Sequence, residues 1–304
     1  MITISVCMIV KNEERHLARC LNPLRGLWDE LIIVDTGSTD RTKEIASGYT
    51  DRIYDYQWRD DFAHARNYAF SLAGCDYIYA PDADEVLDDE NRRRFSLLKQ
   101  TLLPEIEIVQ MIYVNRHDHK TTENFEKDLR PKLFKRLRTF QWIDPVHETI
   151  RLAPIVYDSD IEILHMPEDS HAGRDLSLFR SCVQKGHRLS ARLHDMYARE
   201  LFMAGTPEDF LAAEGFFQDS LHDPARSDDE HMEALCVLAR ISRLKKDYPG
   251  FLSLCLNGIA ASPCAELCIE AGDYYMEIND HENARDWYEN ARSTPPILDI
   301  RCQE

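Results

Sequence analysis

The sequence predicts two domains of different class: an α/β domain with a mostly parallel sheet over residues 1–170, and an all-helical repeat domain over residues 171–304. Three observations carry this prediction. From Ile2 to Thr101, short β-branched runs alternate with helical spacings, the order of a sheet with crossover helices. From Ile106 the pattern turns to strands alone. After Gly173 the apolar residues fall at helical spacings in three segments that can be laid over one another.

Taken in order, Ile2 to Val10 (ITISVCMIV) is a continuous apolar run, as expected of a strand buried on both faces. Leu17, Cys20, Leu21 and Leu24 then mark a helix within residues 12–24. Glu30 to Asp35 (ELIIVD) is a second buried strand, running into the polar turn Thr36-Gly37-Ser38-Thr39-Asp40, where Ser38 or Thr39 can cap the next helix. Ile53 to Tyr56 is a short third strand, and Phe62, Ala65, Ala69 and Leu72 line one face of a helix. Asp76 to Ala80 (DYIYA) is a fourth strand ending directly in Pro81-Asp82-Ala83-Asp84-Glu85, and a helix follows from Asp88 to Thr101. Right-handed crossovers in such an order bring the carboxyl ends of the strands to one edge, where ligands gather.

Strands are expected at Ile106–Asn115, Lys132–Arg136, Thr149–Leu152 and Ile161–His165, as a second half of the sheet that would hold an acceptor. Pro167-Glu168-Asp169 marks the boundary. The three helical segments are Met196–Pro224, His231–Pro263 and Ala265–Pro296, with turns at Ala204-Gly205-Thr206, Lys246-Asp247 and Asn279-Asp280. The last two turns lie close to the roughly 34-residue period of tetratricopeptide helix pairs apart. Small Ala271, Gly272 and Ala284 stand where two helices must approach closely, and the aromatic residues of these segments are read mostly as core.

Composition narrows the function. The apolar fraction of 44% in 304 residues supports a sizeable core. With 36 basic against 54 acidic residues the net charge is -18, which repels nucleic acid and anionic surfaces and favours a divalent cation as partner. Nine scattered cysteines without a CxxC pair read as reduced, mostly buried thiols. The short apolar run at the start meets Lys11-Asn12-Glu13-Glu14 and does not read as a secretory signal. No segment approaches the roughly 20 apolar residues of a membrane span, so a cytoplasmic protein is expected.

Three stretches carry chemistry. Asp82-Ala83-Asp84, followed by Glu85, places carboxylates on a turn after a buried strand, where they can face one ligand. Hard cations such as Mg²⁺ and Mn²⁺ take oxygen ligands and share them with substrate phosphates. Asp35 ends a buried strand, where an acid can accept hydrogen bonds from a base or ribose, although Asp is also a routine turn residue. Backbone groups from Val10 through Asn12, with Glu13, can border a nucleoside, or else simply open a capped helix.

Together SVCMIVKNEE, DELIIVDTGSTDRT, FAHARNYA and YIYAPDADEVL resemble the inverting family 2 glycosyltransferases of GT-A fold, especially the branch that carries tetratricopeptide repeats after the catalytic domain. RPKLFKR, WIDPVHETI and EILHMP extend the resemblance to about residue 170. It implies that Asp35 contacts the nucleotide base and Glu13 the ribose region. It implies also that Asp82, Ala83 and Asp84 form the family's DxD, with Asp82 and Asp84 holding Mn²⁺ or Mg²⁺ against the donor diphosphate. Arg66 and Arg130 then add positive charge near that diphosphate, Arg130 alternatively being one of several surface cations. His165 is either a third protein ligand to the metal, as the resemblance implies, or a structural histidine. An inverting transfer needs a base for the acceptor proton. The family's usual Glu-Asp pair has no clear copy here. Glu148 in Val146-His147-Glu148 is the first choice, and Asp144 the second.

The expected function is metal-dependent inverting transfer of a sugar from a nucleotide-diphosphate donor, a UDP-hexose, to a peptide, protein or saccharide acceptor. The alternative is a catalytically degenerate repeat-based binding or scaffold protein, against which the intact Asp35, Asp82 and Asp84 speak. A homodimer through the repeat domain is a further expectation.

Overall fold

The computed structural model describes residues 1–115, 127–137, 142–143, 145–147, 149–150, 154–166 and 172–299. The chain divides into two compact units, Met1–Ser170 and His171–Glu304.

In the first unit the elements run β1 (Ile4–Val10), α1 (Leu17–Leu24), β2 (Glu30–Asp35), α2 (Thr42–Ser47), β3 (Ile53–Asp55), α3 (Phe62–Ser71), β4 (Tyr77–Tyr79), β5 (Glu85–Val86), α4 (Asp89–Thr101), β6 (Ile108–Asn115), β7 (Lys127–Lys135), β8 (Trp142–Ile143), β9 (Thr149–Ile150) and β10 (Val156–His165). An eight-stranded sheet has the order β3-β2-β1-β4-β7-β6-β10-β5, and β8 pairs with β9 in a separate ribbon. The uninterrupted apolar runs of β1 and β2 supply both faces, because successive side chains point to opposite sides. Val6, Met8, Val10, Leu31 and Ile33 pack with Leu17, Leu21 and Leu24 of α1 and with Phe95 of α4. Cys7, Ile32 and Val34 face the other way, onto Ala63, Ala69 and Phe70 of α3 with Phe134 and Trp142.

The pairings β1–β2, β2–β3, β1–β4 and β6–β10 are parallel, as the alternating order predicts. Three are antiparallel: β7 runs against both β4 and β6, and β5 against the end of β10. The expected strand at 132–136 is longer than its apolar part, since the polar residues Lys127 to Arg130 pair along β6. Glu85, read as part of a turn, lies in a strand. Thr149 and Ile150 belong to the ribbon with β8 rather than to the main sheet. The expected helix from residue 12 begins at Leu17; Asn12 itself has positive φ (57°) and lies in the loop before it. Among the described residues no helix is long and apolar enough to cross a membrane. Seven of the eight described cysteines are buried, and Cys75 is half-buried.

The second unit is helical throughout its described length: α5 (Ala172–Gln184), α6 (Ala191–Ala204), α7 (Pro207–His222), α8 (Asp228–Leu244), α9 (Tyr248–Ala261), α10 (Ala265–Glu277) and α11 (His281–Ser293). Local chemistry sets the ends. Thr206 and Ser227 form capping boxes with Asp209 and Glu230, and Asp247 and Asp280 cap α9 and α11 through Gly250 N–H and Asn283 N–H.

The turns after α8 and α10 repeat the same hydrogen bonds. Asp247 N donates to Ser242 O and Lys246 N to Arg243 O, while Asp280 N donates to Tyr275 O and Asn279 N to Met276 O. Both are Schellman motifs, with Lys246 (φ 60°) and Asn279 (φ 61°) at the left-handed position. The small residues sit where they were expected: a Cβ on Gly272 would lie 2.6 Å from the Tyr288 ring. At the centre Glu270, fully buried, accepts from Arg240 and Arg243. Arg243 also donates to Asp273 (2.8 Å) and Glu277 (2.7 Å). The buried carboxylate on α10 is thus paired with two arginines of α8.

A lysine in left-handed backbone is strained where glycine is not. Lys246→Gly is expected to raise the stability of the helical unit by about 1 kcal/mol. An unchanged or lower urea midpoint would contradict the strain.

Candidate functional site

The topological switch of the sheet lies at β1, with β2 on one side and β4 on the other, and both neighbours run parallel to it. Residues that leave the carboxyl ends of these strands therefore flank one crevice. On the β2 side, Asp35 is 1% exposed. Its Oδ1 accepts Gly37 N (2.9 Å) and Ser38 N (2.8 Å), turning the chain, and stands 3.9 Å from Lys43 Nζ. Its Oδ2 has no hydrogen-bond partner among the described residues. A buried carboxylate oxygen with nothing to accept is costly, and a donor from a ligand would satisfy it.

The loop after β1 is stitched to the loop after β2. The Val10 carbonyl accepts both Thr36 N (2.9 Å) and Thr36 Oγ1 (3.2 Å). Asn12 Oδ1 accepts Thr39 N (2.8 Å), and Asn12 N donates to Ser38 Oγ (2.9 Å). Glu13 N donates to Thr42 Oγ1 (2.7 Å), while its carboxylate meets His16 Nδ1 at 2.9 Å. In this structure Val10 and Asn12 thus build the wall of the crevice through hydrogen bonds of their own.

Beyond β4, the acidic turn is organised by two cations and a strand pairing. Arg66, on α3, donates from Nη2 to Asp82 Oδ1 (2.7 Å). Lys132, on β7, stands 3.4 Å from Asp82 Oδ2 and 2.5 Å from Glu85 Oε1. The Ala83 side chain is buried beneath the turn. Asp84 is brought to His165 because β5 and β10 pair antiparallel, Val86 with Leu164 and Glu85 with His165, and because Met166 N donates to Asp84 O (3.1 Å). Asp84 Oδ2 then lies 3.1 Å from His165 Nε2.

Aromatic rings support the cations. The Arg66 guanidinium lies 4.9 Å from the Trp142 ring centroid, and Asn67 brackets the Trp142 backbone with hydrogen bonds of 2.8 and 2.7 Å. Tyr113 stands under Arg130 (5.1 Å) and Lys132 (5.5 Å), and against the His165 ring (5.0 Å). Arg130 also pairs with Asp128 at 3.4 Å.

The electrostatics follow from this arrangement. Burial alone would raise the Asp82 carboxyl, but the Arg66 and Lys132 charges outweigh it and hold Asp82 well below the usual carboxylate range. Glu85 is pushed up to about 7, chiefly by burial, with Lys132 opposing and the Asp82 charge adding to the rise.

Asp82, Asp84, His165 and Arg66 therefore converge, although they come from α3, the turn after β4 and the last strand of the unit. Asp35, Val10, Asn12 and Glu13 line the adjoining loops, and Arg130 reaches the group through Tyr113. Asp144 and Glu148 lie outside the described residues. Sequence reasoning missed Lys132 and Tyr113 as parts of the group, and read Glu85 only as the residue that follows the acidic pair on its turn. No sequence signal separates Lys132 from its basic neighbours, because the pairing register of β7 shifts between Pro131 and Leu133 and breaks the alternation at Lys132. Asp84 with His165 offers oxygen and imidazole donors, which suit Mn²⁺ and, through the carboxylate, Mg²⁺.

Residues 5–150 match the family described as Glycosyl transferase family 2. A TPR repeat-containing protein of Synechococcus elongatus is 46% identical over 87 residues, 29% of this chain and 22% of that protein. The SPbeta prophage-derived glycosyltransferase SunS of Bacillus subtilis is 33% identical over 102 residues, 33% of this chain and 24% of that protein. The chain thus matches about a quarter of the length of these curated relatives. Among solved structures, S. aureus TarS 1–349 is 13% identical, with 96% of this chain and 91% of that chain covered and a TM-score of 0.41. Glucosyl-3-phosphoglycerate synthase from Mycobacterium tuberculosis, crystallised with Mn²⁺ and UDP-glucose, is 17% identical, with 62% and 81% covered and a TM-score of 0.44.

The raised Glu85 carboxyl has a pH signature. Between its ordinary value of 4.5 and about 7 the folded chain binds more protons there than the unfolded chain does. Its contribution is full below the lower value and is lost as pH rises through the upper one. Asp82 acts oppositely, contributing above 3.8 and losing that contribution as pH falls. In metal-free protein, Glu85→Gln should gain stability relative to wild type as pH rises from about 5 to about 8. Paired denaturation curves that keep a constant offset over that range would contradict the burial of this carboxyl.

Proposed function

We propose, from the match of residues 5–150 to Glycosyl transferase family 2, that the chain transfers a sugar from a UDP-sugar donor to a peptide, protein or saccharide acceptor, with inversion and with a divalent ion. One observation carries this reading: the switch-point crevice has an unpartnered Asp35 oxygen on one flank and the Arg66–Asp82 and Asp84–His165 pairs on the other. The first suits a planar base and the second a metal-bound diphosphate.

In this reading Asp35 Oδ2 accepts the imide N–H of uracil, for which a buried carboxylate oxygen is the matching acceptor. Glu13 borders the ribose, and the loop built by Val10 and Asn12 sets the width of the slot. Asp84 and His165 hold the ion, Mn²⁺ or Mg²⁺, with Asp82 beside them. A bound ion there neutralises charge on the leaving diphosphate. Arg66 and Arg130 add fixed positive charge on the same side, held in place by Trp142 and Tyr113. The acceptor hydroxyl attacks the anomeric carbon from the face opposite the diphosphate. Its proton passes to Glu148, with Asp144 as the second candidate, while the electrons of the broken C–O bond leave with UDP.

The helical unit supports a polypeptide acceptor, since stacked helix pairs present extended grooves. The same surface is the proposed site of a homodimer.

Mixing the chain with UDP-sugars and Mn²⁺ should release UDP. Asp84→Ala should cut that release at least about a hundredfold while the protein stays folded; full activity in this variant would remove the metal assignment. Asp35→Ala should weaken UDP binding about tenfold or more by calorimetry, the loss of one hydrogen bond to a charged acceptor. Glu148→Gln should bind donor normally and fail to transfer. Continued transfer would move the base to Asp144.

A further inference from the structure

The metal pair Asp84–His165 does not stand alone. Beside it lie two more carboxylates, Asp82 and Glu85, paired with two protein cations, Arg66 and Lys132; Glu85 adjoins Asp84 in the chain, and the Tyr113 ring lies against His165 and near Lys132. Lys132 is unlike the other basic residues of RPKLFKR. It is 7% exposed, whereas Lys135 and Arg136 turn outward to Pro104 O and Cys75 O. Its backbone is fixed, because Lys132 O accepts Ala80 N (3.0 Å) on the strand that leads into the acidic turn. Its ammonium spans Asp82 (3.4 Å) and Glu85 (2.5 Å), with the Tyr113 ring 5.5 Å away. Glu85 is 2% exposed, and its Oε2 has no partner among the described residues.

Counting a neutral His165, three carboxylates and two cations leave the group with one net negative charge. A divalent ion at Asp84 feels that sum through a poorly screened interior. We propose that Lys132 and Glu85 are positioning residues that set the charge of the cation site, so that together they hold its affinity at a moderate level: the lysine weakens the grip of the acids and the glutamate restores part of it. This rests on the metal reading given above, and it extends that reading to two residues not assigned there as ligands of the ion. A weakly held ion can arrive and leave with the nucleotide, whereas an uncompensated triad of acids would retain it between turnovers.

The proposal orders four proteins by charge. Lys132→Met leaves two net negative charges, wild type and the double variant Lys132→Met/Glu85→Gln leave one, and Glu85→Gln leaves none. Mn²⁺ is titrated into each full-length chain at about pH 8, with and without UDP, and free Mn²⁺ is read by electron paramagnetic resonance. Relative to wild type, Lys132→Met should bind Mn²⁺ about tenfold tighter or more, Glu85→Gln about tenfold weaker, and the double variant within about threefold.

A structural ion pair alone would make Lys132→Met less stable in chelator but would not tighten its metal binding. Nor would it make Glu85→Gln weaker. Should Lys132→Met fail to fold, Glu85→Gln and the double variant still give distinct expectations, about a tenfold loss against near wild-type affinity, and decide the matter. Equal Mn²⁺ affinity across the series, with Asp84→Ala alone losing the ion, overturns the charge-setting role and keeps the metal reading. No Mn²⁺ uptake by any of the proteins overturns both.

Discussion

Two backbone pairings, Leu164 with Val86 and His165 with Glu85, hold the candidate site in one piece. They tie the turn after β4 to the end of β10, which is separated from it by some eighty residues of chain. Without them Asp82 and Asp84 would be acids on a solvated loop. With them the loop becomes a short strand, Glu85 is driven inward and Asp84 is set against an imidazole. The register is specified because a slip by one residue would exchange the inward and outward side chains of so short a strand.

Driving an acid inward has an electrostatic cost that the sheet itself meets. Lys132 comes from β7, which runs against both of its neighbours in the sheet, and Arg66 from the helix on one face. Each is steadied by an aromatic ring, Tyr113 or Trp142. The cluster joins residues from five elements with few side chains left to spare, so it is more a property of the topology than of the DxD segment.

Much of the α/β unit was legible in the sequence, because β1 and β2 are continuous apolar runs and such runs have few alternatives to a strand covered on both sides. The acids at the tips of these strands were legible for the same reason. What escaped was pairing at a distance. Nothing in Glu85-Val86 alone marks a strand, since it forms only against β10, and the polar half of β7 is extended only because β6 lies beside it. Lys132 looked like one of several surface cations, because the irregular register that accompanies its burial exists only once β6 and β7 are paired. The helical unit was easier, since its turns are encoded locally by an aspartate cap and a left-handed residue at Lys246 and at Asn279.

The bracket that Asn67 places on Trp142 has a mechanical meaning. Asn67 follows Arg66 on α3, and Trp142 opens the ribbon whose two strands enclose Asp144 and Glu148 in sequence. Phe62 N, at the start of the same helix, donates to Pro145 O (2.9 Å). One helix therefore grips the ribbon at two points while its arginine grips the acidic turn. The position of the acidic turn is thereby tied to that of the ribbon.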